Sequence, residues 1–384
     1  MFGAFNTELT QTFGIKHPIM LAGMNVASGS TLAAAVCNAG GLGVIGGLNY
    51  TPNMLRTMIQ DLKSQLNNKE SPFGVDLLLP KVGDGARKTN YDYTKGHLEE
   101  LINIIIEEKA KLFVSAIGVP SKKIVEKLHA AGILVMNMIG SPKHVEKALS
   151  VGVDIICAQG GEGGGHTGDI GTMVLIPAVV DIASKYISPV TGRTVQVIAA
   201  GGIYDGRTLV AALSLGASGV WVGTRFVASV ESSAPPSHKQ TILATSHDDT
   251  MKTLVFTGRP LRVASSEYAK EWETVRREKM QKLLEEGIVP ANYDLANLTK
   301  GKIESDDLQY LIKYNNSNKP KPYPHLLGQV AGSIDKIETA ADIINNMIKE
   351  AANIVNKLDT LNTCKYPTMQ PLQNDIIPLP KAKL

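Results

Sequence analysis

Short apolar runs alternate with longer amphipathic stretches from the start of the chain to Phe226. Eight of these runs are rich in aliphatic residues and have the length of buried strands. The predicted strands are residues 18–24, 43–45, 73–79, 112–117, 134–138, 154–158, 196–200 and 219–222. Helices between them are indicated by start signals such as Thr51-Pro52 and Ser141-Pro142. Eight successive strand–helix units favour a closed (β/α)8 barrel, or TIM barrel, over an open sheet, so the predicted fold class is α/β.

The alternation ends after Phe226, and charged, helical sequence follows over residues 235–322. We interpret this stretch as an inserted, mostly helical second lobe that covers the mouth of the barrel. Residues 333–358 then predict a long helix that closes the barrel. The predicted division is a barrel at 1–234, a substrate-side lobe at 235–325, a return to the barrel at 326–358 and a C-terminal tail at 359–384.

Composition and charge narrow the classes of protein that the chain can represent. The 384 residues are 43% hydrophobic and 20% charged, which is ordinary for a soluble globular protein. The net charge is +3 and no dense basic run is present, which argues against a nucleic acid partner. No apolar run approaches the roughly 18 residues of a membrane span, so no membrane partner is expected. Cys37, Cys157 and Cys364 lie far apart and predict neither a disulfide framework nor a metal site.

The two ends of the chain bear on its location. Residues 1–12 are polar and lack the apolar segment of a secretory signal, so a soluble, intracellular protein is expected. Ala382-Lys383-Leu384 resembles the Ser-Lys-Leu peroxisomal address, with Ala in place of Ser. A chance Lys-Leu ending explains this match equally well. The peroxisome and the cytoplasm therefore both stay open, as does the oligomeric state.

A glycine-rich stretch, Ala158-Gln159-Gly160-Gly161-Glu162-Gly163-Gly164-Gly165-His166, follows the sixth predicted strand. Glycines remove side-chain bulk, so this backbone can approach a ligand closely. His166 follows at the mouth of the predicted barrel, where no helix face requires it. A structural role is the alternative, but we interpret His166 as catalytic, because a neutral imidazole can take a proton from a carbon acid or hydrogen-bond an anion. No Ser, Cys or Asp triad pattern surrounds it, which disfavours nucleophilic hydrolysis.

Two further glycine turns follow neighbouring strands of the predicted barrel. The seventh strand ends in Gly201-Gly202 and the eighth in Gly223-Thr224. Backbone amides at such turns bind phosphate well, and barrels commonly build a phosphate site from the loops after strands seven and eight. We therefore predict a phosphorylated cofactor or substrate there, with ligand-free tight turns as the alternative. In the third strand, Asp76 either accepts hydrogen bonds from a ligand or the backbone, or forms an ion pair in the core.

Six motifs lie in a specific order and spacing along the chain. They are Pro18-Ile19-Met20-Leu21-Ala22-Gly23-Met24, Ala39-Gly40-Gly41-Leu42-Gly43, Phe73-Gly74-Val75-Asp76-Leu77, the glycine-rich stretch through His166, Ala199-Ala200-Gly201-Gly202-Ile203, and Gly219-Val220 followed by Gly223-Thr224-Arg225-Phe226. Together they resemble the nitronate monooxygenases, formerly called 2-nitropropane dioxygenases, and especially the fungal members. The resemblance runs from about Ile15 to Phe226 and resumes at Gly328. The stretch 235–322 matches less distinctively.

This resemblance implies an enzyme whose barrel holds FMN without covalent attachment. Met24 would lie against the flavin, Gln159 would contact its ring or ribityl chain, and His166 matches the family's active-site histidine. The glycine turns would take the phosphate, in agreement with the interpretation of the loops. Asp76 stands where many relatives carry Asn. The predicted cofactor-binding residues are Ala22, Gly23, Met24, Asp76, Gln159, Gly164, Gly201, Gly202, Gly223 and Thr224.

The reaction that the resemblance implies is oxidative denitrification. A nitronate, the anion of a nitroalkane, passes an electron through the flavin to O2, and the products are a carbonyl compound and nitrite. Alkyl nitronates, including propionate 3-nitronate, and neutral nitroalkanes are the expected substrates, and detoxification is the expected role. One alternative is an FMN-dependent enoyl-acyl-carrier-protein reductase that uses NADH, which shares the barrel and a similar Gly-Gly-His loop. The other is a non-enzymatic barrel that binds phosphate.

Overall fold

A computed structural model of the chain describes residues 3–79, 88–300, 323–361 and 377–378. Its strands are β1 (Ile19–Leu21), β2 (Gly43–Gly46), β3 (Phe73–Leu77), β4 (Leu112–Ser115), β5 (Leu134–Ile139), β6 (Ile155–Gln159), β7 (Gly165–His166), β8 (Tyr186–Ile187), β9 (Gln196–Ala200), β10 (Gly219–Val222), β11 (Thr250–Thr253), β12 (Leu261–Ala264) and β13 (Ile377–Pro378). Strands β1 to β6, β9 and β10 are parallel and form one sheet in the order β1-β10-β9-β6-β5-β4-β3-β2. Apart from β1 and β10, which are the first and last of the eight, neighbours in this sheet are neighbours in chain order.

The sheet closes on itself where β1 meets β2. Met20 and Leu42 form a parallel bridge, in which the Leu42 amide donates to the Ile19 carbonyl and the Leu21 amide donates to the Leu42 carbonyl, each at 2.9 Å. The predicted (β/α)8 barrel is confirmed. The seventh and eighth barrel strands begin and end where the sequence predicts them, at 196–200 and 219–222.

Helices surround the barrel and continue into the lobe. They are α1 (Glu8–Phe13), α2 (Ser30–Asn38), α3 (Pro52–Gln65), α4 (Leu98–Glu107), α5 (Lys122–Ala130), α6 (Val145–Leu149), α7 (Thr172–Ala183), α8 (Gly206–Ser214), α9 (Thr224–Val227), α10 (Pro236–Ala244), α11 (Glu267–Glu273), α12 (Arg277–Glu285), α13 (Pro290–Lys300) and α14 (Ala340–Leu361). Helix α3 begins at the predicted Thr51-Pro52 pair. The Thr51 side chain caps the helix by accepting a hydrogen bond from the Met54 amide, and Pro52 occupies the first helical position.

Alternate strand residues fill the barrel interior and leave the site at one end. Side chains such as Met20, Val114, Met136 and Cys157 pack together inside the barrel. Helix α1 adds Leu9 and Phe13 to the same cluster and covers the amino ends of the strands. The carboxyl ends of the strands are therefore the end at which a ligand can enter.

The helix that closes the barrel begins later than the pattern predicts. A 3₁₀ turn spans Gln329–Ser333, and α14 starts at Ala340 rather than at residue 333. Between the two, the chain is extended, because Glu338 bridges to Ser229 and the buried Arg225 guanidinium binds the Lys336 carbonyl and the Glu338 carboxylate. Helix α14 then packs against α8 and α2, which places it as the closing helix.

The inserted lobe contains a β-hairpin that the sequence pattern does not predict. Strands β11 and β12 pair antiparallel, and β12 pairs in turn with β7 of the glycine-rich loop. Helices α10 to α13 make up most of the rest of the described lobe. The lobe is thus joined to the barrel through the strand that carries His166.

A buried acid holds the helices of the lobe together. Asp294 on α13 is fully buried and accepts hydrogen bonds from the Tyr268 hydroxyl (2.8 Å), the Trp272 indole N–H (3.0 Å) and both Nη atoms of Arg276 (2.9 and 3.0 Å). The Arg276 guanidinium also stacks 3.5 Å from the Trp272 ring centroid. Val255 of the hairpin loop belongs to the same apolar cluster as Trp272. The cluster therefore supports the loop that faces His166.

Replacing Asp294 with alanine should destabilise the protein by about 3 to 5 kcal/mol, because it removes the buried carboxylate to which Tyr268, Trp272 and Arg276 all donate. Urea unfolding monitored by tryptophan fluorescence measures this change. Lys270 on α11 forms an exposed pair with Glu267, so Lys270→Ala is the control and should cost less than about 0.5 kcal/mol. Equal losses in the two variants would show that the Asp294 cluster is not a structural centre of the lobe.

Some sequence predictions fall outside the described residues. They concern part of the loop after β3 (residues 80–87), the last part of the lobe (301–322), most of the tail, and the terminal Ala382-Lys383-Leu384. Peroxisomal import and the proposed domain boundaries accordingly stay predictions. Among the described helices, none combines the length and the apolar character needed to cross a membrane. The described residues also contain no group of three or more His, Cys, Asp or Glu side chains placed to hold a metal ion.

Candidate active site

The predicted site residues meet at the carboxyl ends of the barrel strands. Met24 follows β1, Asp76 lies near the end of β3, Gln159 ends β6, and the glycine turns follow β9 and β10. A parallel barrel presents all these strand ends on one rim, where enzymes of this fold carry their active sites. The fold therefore gathers residues from distant parts of the chain into one site.

Asp76 packs against the turn that follows β1. A Cβ atom on Gly23 would lie 2.3 Å from Oδ2 of Asp76 and 2.4 Å from its Cβ, so the turn requires glycine there. Asp76 is 1% exposed and forms no ion pair within the described chain. Burial raises the pKa of the Asp76 carboxyl well above its usual value. The sequence allows a core ion pair as one of two roles of Asp76, and no such pair is present among the described residues.

The turns after β9 and β10 expose backbone N–H groups. Gly201 and Gly202 have φ of +86° and +75°, a conformation that favours glycine and lets successive N–H groups converge. The amides of Gly202, Gly223 and Thr224 donate to no acceptor in the described part of the chain. N–H groups of this kind suit a phosphate oxygen, and their contact with a phosphate stays a prediction.

Gln159 shapes the glycine-rich loop. Its Nε2 donates to the His166 carbonyl at 2.7 Å and lies at the limit of bonding distance, 3.5 Å, from the Gly164 carbonyl. A Cβ atom on Gly163 would come within 2.8 Å of the same nitrogen, so glycine makes room for this amide. Gln159 thereby positions His166 through the backbone, and its predicted contact with a cofactor is an additional role that stays untested.

Gly164 contacts the chain that returns from the lobe. A Cβ atom there would lie 2.5 Å from the Leu327 carbonyl carbon, and one on Gly328 would lie 2.7 Å from the Glu162 carbonyl oxygen. The Gly328 amide also donates to Thr224 Oγ1 at 2.9 Å. The returning segment therefore closes over the turn that follows β10. Gly164 has a packing reason to be glycine, and its contact with a cofactor stays a prediction.

Met24 lies where the barrel interior, its outer layer and the lobe meet. Its side chain packs against apolar clusters of all three and has Sδ 3.6 Å from the Cβ position of Gly223. The Met24 amide donates to Ser28 Oγ at 2.6 Å, which fixes the turn. Two residues on, Val26 has φ of +62°, an unusual value for a β-branched residue. Strained backbone clusters at functional sites, which agrees with Met24 facing a ligand.

His166 is held between the barrel and the lobe. Its backbone pairs with Leu261 of β12, and its Nε2 lies 3.0 Å from Thr257 Oγ1 in the hairpin loop. Burial, and to a smaller extent the charge of Arg259, lowers the pKa of His166 to about 4. The imidazole is therefore neutral near physiological pH, which is the form that accepts a proton.

Four residues near His166 are not predicted from the sequence, namely Thr257, Arg259, Asn90 and Tyr93. Arg259 follows Thr257 in the hairpin loop, and its Nε and Nη2 donate to Oδ1 of Asn90 at 3.1 and 2.7 Å. Tyr93, from the same loop as Asn90, is close enough for the Arg259 charge to oppose the rise in its pKa that burial causes. The glycine of Thr257-Gly258-Arg259 could have indicated a loop at this position. The surrounding sequence is charged, however, and its pattern predicts helix.

The residues at the rim fit a phosphorylated flavin. Amides without acceptors in the described chain offer donors for a phosphate, and the half-buried Met24 offers an apolar surface. Oδ1 of Asp76 is buried and has no hydrogen-bond partner among the described residues. A buried polar atom of this kind usually meets a ligand or a water molecule. The site thus has donors, an apolar wall and an unsatisfied polar atom, and these features fit a phosphorylated flavin.

Fold and site together define a (β/α)8-barrel enzyme whose active site lies at the carboxyl ends of the strands. The model of the family described as nitronate monooxygenase matches residues 6–350. The chain belongs to the nitronate monooxygenase family and is a flavin-dependent oxidoreductase.

Bacterial proteins are similar over nearly their full length. The chain is 31% identical over 390 residues to the (3aS,4S,5R,7aS)-5-hydroxy-7a-methyl-1-oxo-octahydro-1H-indene-4-carboxyl-CoA dehydrogenase of Rhodococcus jostii, covering 92% of this chain and 98% of that protein. It is 30% identical over 388 residues to a probable nitronate monooxygenase of Staphylococcus saprophyticus, covering 92% and 99%. The family thus includes proteins named for different reactions.

Solved structures share the whole architecture. FabK from Thermotoga maritima superposes with a TM-score of 0.71 at 32% identity, covering 93% of this chain and 99% of that one. A nitroalkane oxidase from Streptomyces ansochromogenes superposes with a TM-score of 0.70 at 24% identity, covering 91% and 99%. At that identity the second likeness concerns the fold alone.

Proposed function

We propose that the protein binds FMN and oxidises alkyl nitronates with O2. Membership of the nitronate monooxygenase family supports nitronate oxidation in general. The observation that carries the proposal is the placement of a neutral His166 beside the charge of Arg259. An imidazole that can accept a proton and a cation that attracts anions suit a nitronate and its parent carbon acid.

FMN would be held at the rim of the barrel by the residues that the sequence predicts. The phosphate would be bound by the backbone amides of Gly201, Gly202, Gly223 and Thr224. The isoalloxazine ring and the ribityl chain would be surrounded by Met24, Asp76 and Gln159. Beside these three lie Ala22, Gly23 and Gly164. When bound, the flavin supplies the redox chemistry between the nitronate and O2. The chain itself has to orient the substrate, exclude water and handle one proton.

His166 would handle that proton. Thr257 holds one ring nitrogen at 3.0 Å, so the imidazole has a defined orientation. A neutral nitroalkane must lose the proton on the carbon that bears the nitro group, and the neutral imidazole can take it. A nitronate has already lost this proton and needs only to be bound. The role of His166 should therefore differ between the two kinds of substrate.

The overall reaction balances without a further co-substrate. Two nitronate anions and one O2 give two carbonyl compounds and two nitrite ions. Propionate 3-nitronate carries a second negative charge, which suits the cation at Arg259. Removal of such toxic nitronates is the physiological role that we propose.

Acyl-thioester chemistry is the second candidate. The similarity to the Rhodococcus jostii dehydrogenase, whose name specifies a CoA thioester, and to FabK favours it. As an enoyl-acyl-carrier-protein reductase, the protein would use NADH as its reductant and an enoyl thioester as its acceptor.

Reconstitution with FMN followed by two assays tests both candidates. We expect the purified protein to show flavin absorbance, to consume O2 with alkyl nitronates and to release nitrite. NADH oxidation that depends on an enoyl thioester, without O2 uptake on nitronates, would establish the second candidate instead. A colourless protein that takes up no FMN would contradict both and leave a non-enzymatic barrel.

A further inference from the structure

The carboxyl group of Asp76 is enclosed at the rim of the barrel. Asp76 pairs through its backbone with β2 on one side and β4 on the other, at Gly46 and Val114. One carboxyl oxygen, Oδ2, lies against Gly23, and the other, Oδ1, has no hydrogen-bond partner among the described residues. An ionised carboxylate in such a place loses its hydration without gaining a counter-ion, which is strongly unfavourable.

The elements packed around Asp76 bring no positive charge. Its neighbours are Gly23 from the turn after β1, Gly47 after β2, Ala116 after β4 and Cys157 on β6. Cys157 is the one titratable neighbour in the described chain, and burial raises the pKa of its thiol well above its usual value. The Ala116 backbone amide favours the ionised form of Asp76, but burial has the larger effect, and a neutral thiol adds no positive charge.

We propose that Asp76 is protonated and contacts the bound flavin as a neutral acid that both donates and accepts hydrogen bonds. This rests on the proposed function, because it assumes that FMN occupies the rim. A carboxylic acid has one O–H donor and a carbonyl acceptor, whereas a carboxylate can only accept. A flavin ring presents ring nitrogens, carbonyl oxygens and an N–H group, so the acid form can meet either kind of group. It also adds no negative charge beside a ring that gains electrons.

Asp76→Asn separates the protonated acid from the carboxylate. Asparagine has the same shape and keeps a donor and an acceptor but carries no charge. If Asp76 is already neutral, the variant should bind FMN within about threefold of the wild type at pH 6, 7 and 8. Its flavin midpoint potential should match that of the wild type at each pH, measured by equilibration with redox dyes. Asp76→Ala, which removes both groups, should weaken FMN binding by tenfold or more.

An ionised Asp76 would give the opposite results. Removal of its charge would then favour the reduced flavin by tenfold or more, which is about 30 mV for a two-electron couple. Infrared difference spectra of wild type minus Asp76→Asn, with and without FMN, give a second readout. A carboxylic acid C=O band that shifts in D2O supports the proposal, and carboxylate bands alone overturn it. A protein that takes up no FMN overturns this inference together with the proposed function, whereas a flavin-loaded protein with carboxylate bands overturns the inference alone.

Discussion

Replacing His166 with asparagine is expected to lower kcat/KM for neutral nitroalkanes by about 10²-fold or more, because the base that takes the carbon proton is lost. FMN content should stay near that of the wild type, since the barrel strands do not use this side chain. Turnover of preformed nitronates should fall much less, because they need no deprotonation. Steady-state O2 uptake with each nitroalkane and its nitronate measures the contrast.

The pH dependence gives a second test of the same role. The pKa of His166 is lowered to about 4 by burial and by Arg259. A base works only when it is unprotonated, so kcat/KM for neutral nitroalkanes should be flat from about pH 6 to 8 and fall as the pH drops through about 4 to 5. Thr257→Val, which removes the hydroxyl beside the ring, is the positional control. Unchanged turnover of both substrate forms by His166→Asn would exclude this histidine from the chemistry.

Replacing Gly201 with alanine should weaken FMN binding by about 10²-fold. An alanine at φ of +86° is strained by roughly 1 to 3 kcal/mol. Its Cβ would also lie 2.8 Å from the Gly160 carbonyl oxygen and 3.2 Å from the Gly163 amide nitrogen, which are backbone atoms. The glycine-rich loop must shift to accept it, and the amides of the turn after β9, where we propose the phosphate binds, shift as well. Flavin fluorescence titration of the apoprotein measures the affinity.

Gly192→Ala is the matched control for backbone strain alone. Gly192 has φ of +66°, and no atom lies within 4 Å of the position that its Cβ would take. It precedes β9, at the end of the barrel opposite to the site. This variant should bind FMN within about threefold of the wild type while losing a similar amount of stability. Equal FMN affinities in Gly201→Ala and the wild type would contradict a phosphate site at this turn.

The barrel and most of its rim could be predicted from the sequence because their signals are local. Each strand is a short apolar run, and the carboxyl ends of parallel strands must share one edge. Met24, Asp76, Gln159 and His166 lie near or just after the ends of such strands, so the fold brings them together whatever the details of packing. The glycine turns are likewise visible, since positive φ at Gly201 and Gly202 needs glycine.

The hairpin and its contribution to the site could not be predicted in the same way. Strand β11 (Thr250–Thr253) is four residues long and mostly polar, so it has no apolar alternation to reveal it. Its role depends on pairing across the insertion with Gly165 and His166, far away in sequence. Arg259 likewise approaches His166 and Asn90 only through tertiary structure. The start of α14 was misplaced for a similar reason, because Arg225 holds residues near Glu338 in an extended conformation.

The strand pairing between His166 and Leu261 ties the imidazole to the inserted lobe rather than to the barrel strands. In the proposed function the barrel rim holds the flavin, whereas the surroundings of the imidazole depend on an inserted hairpin. Mutations in the hairpin loop can therefore alter which molecules are accepted and leave the redox machinery intact. A single barrel could in this way diversify into nitronate and thioester enzymes by exchanging one loop.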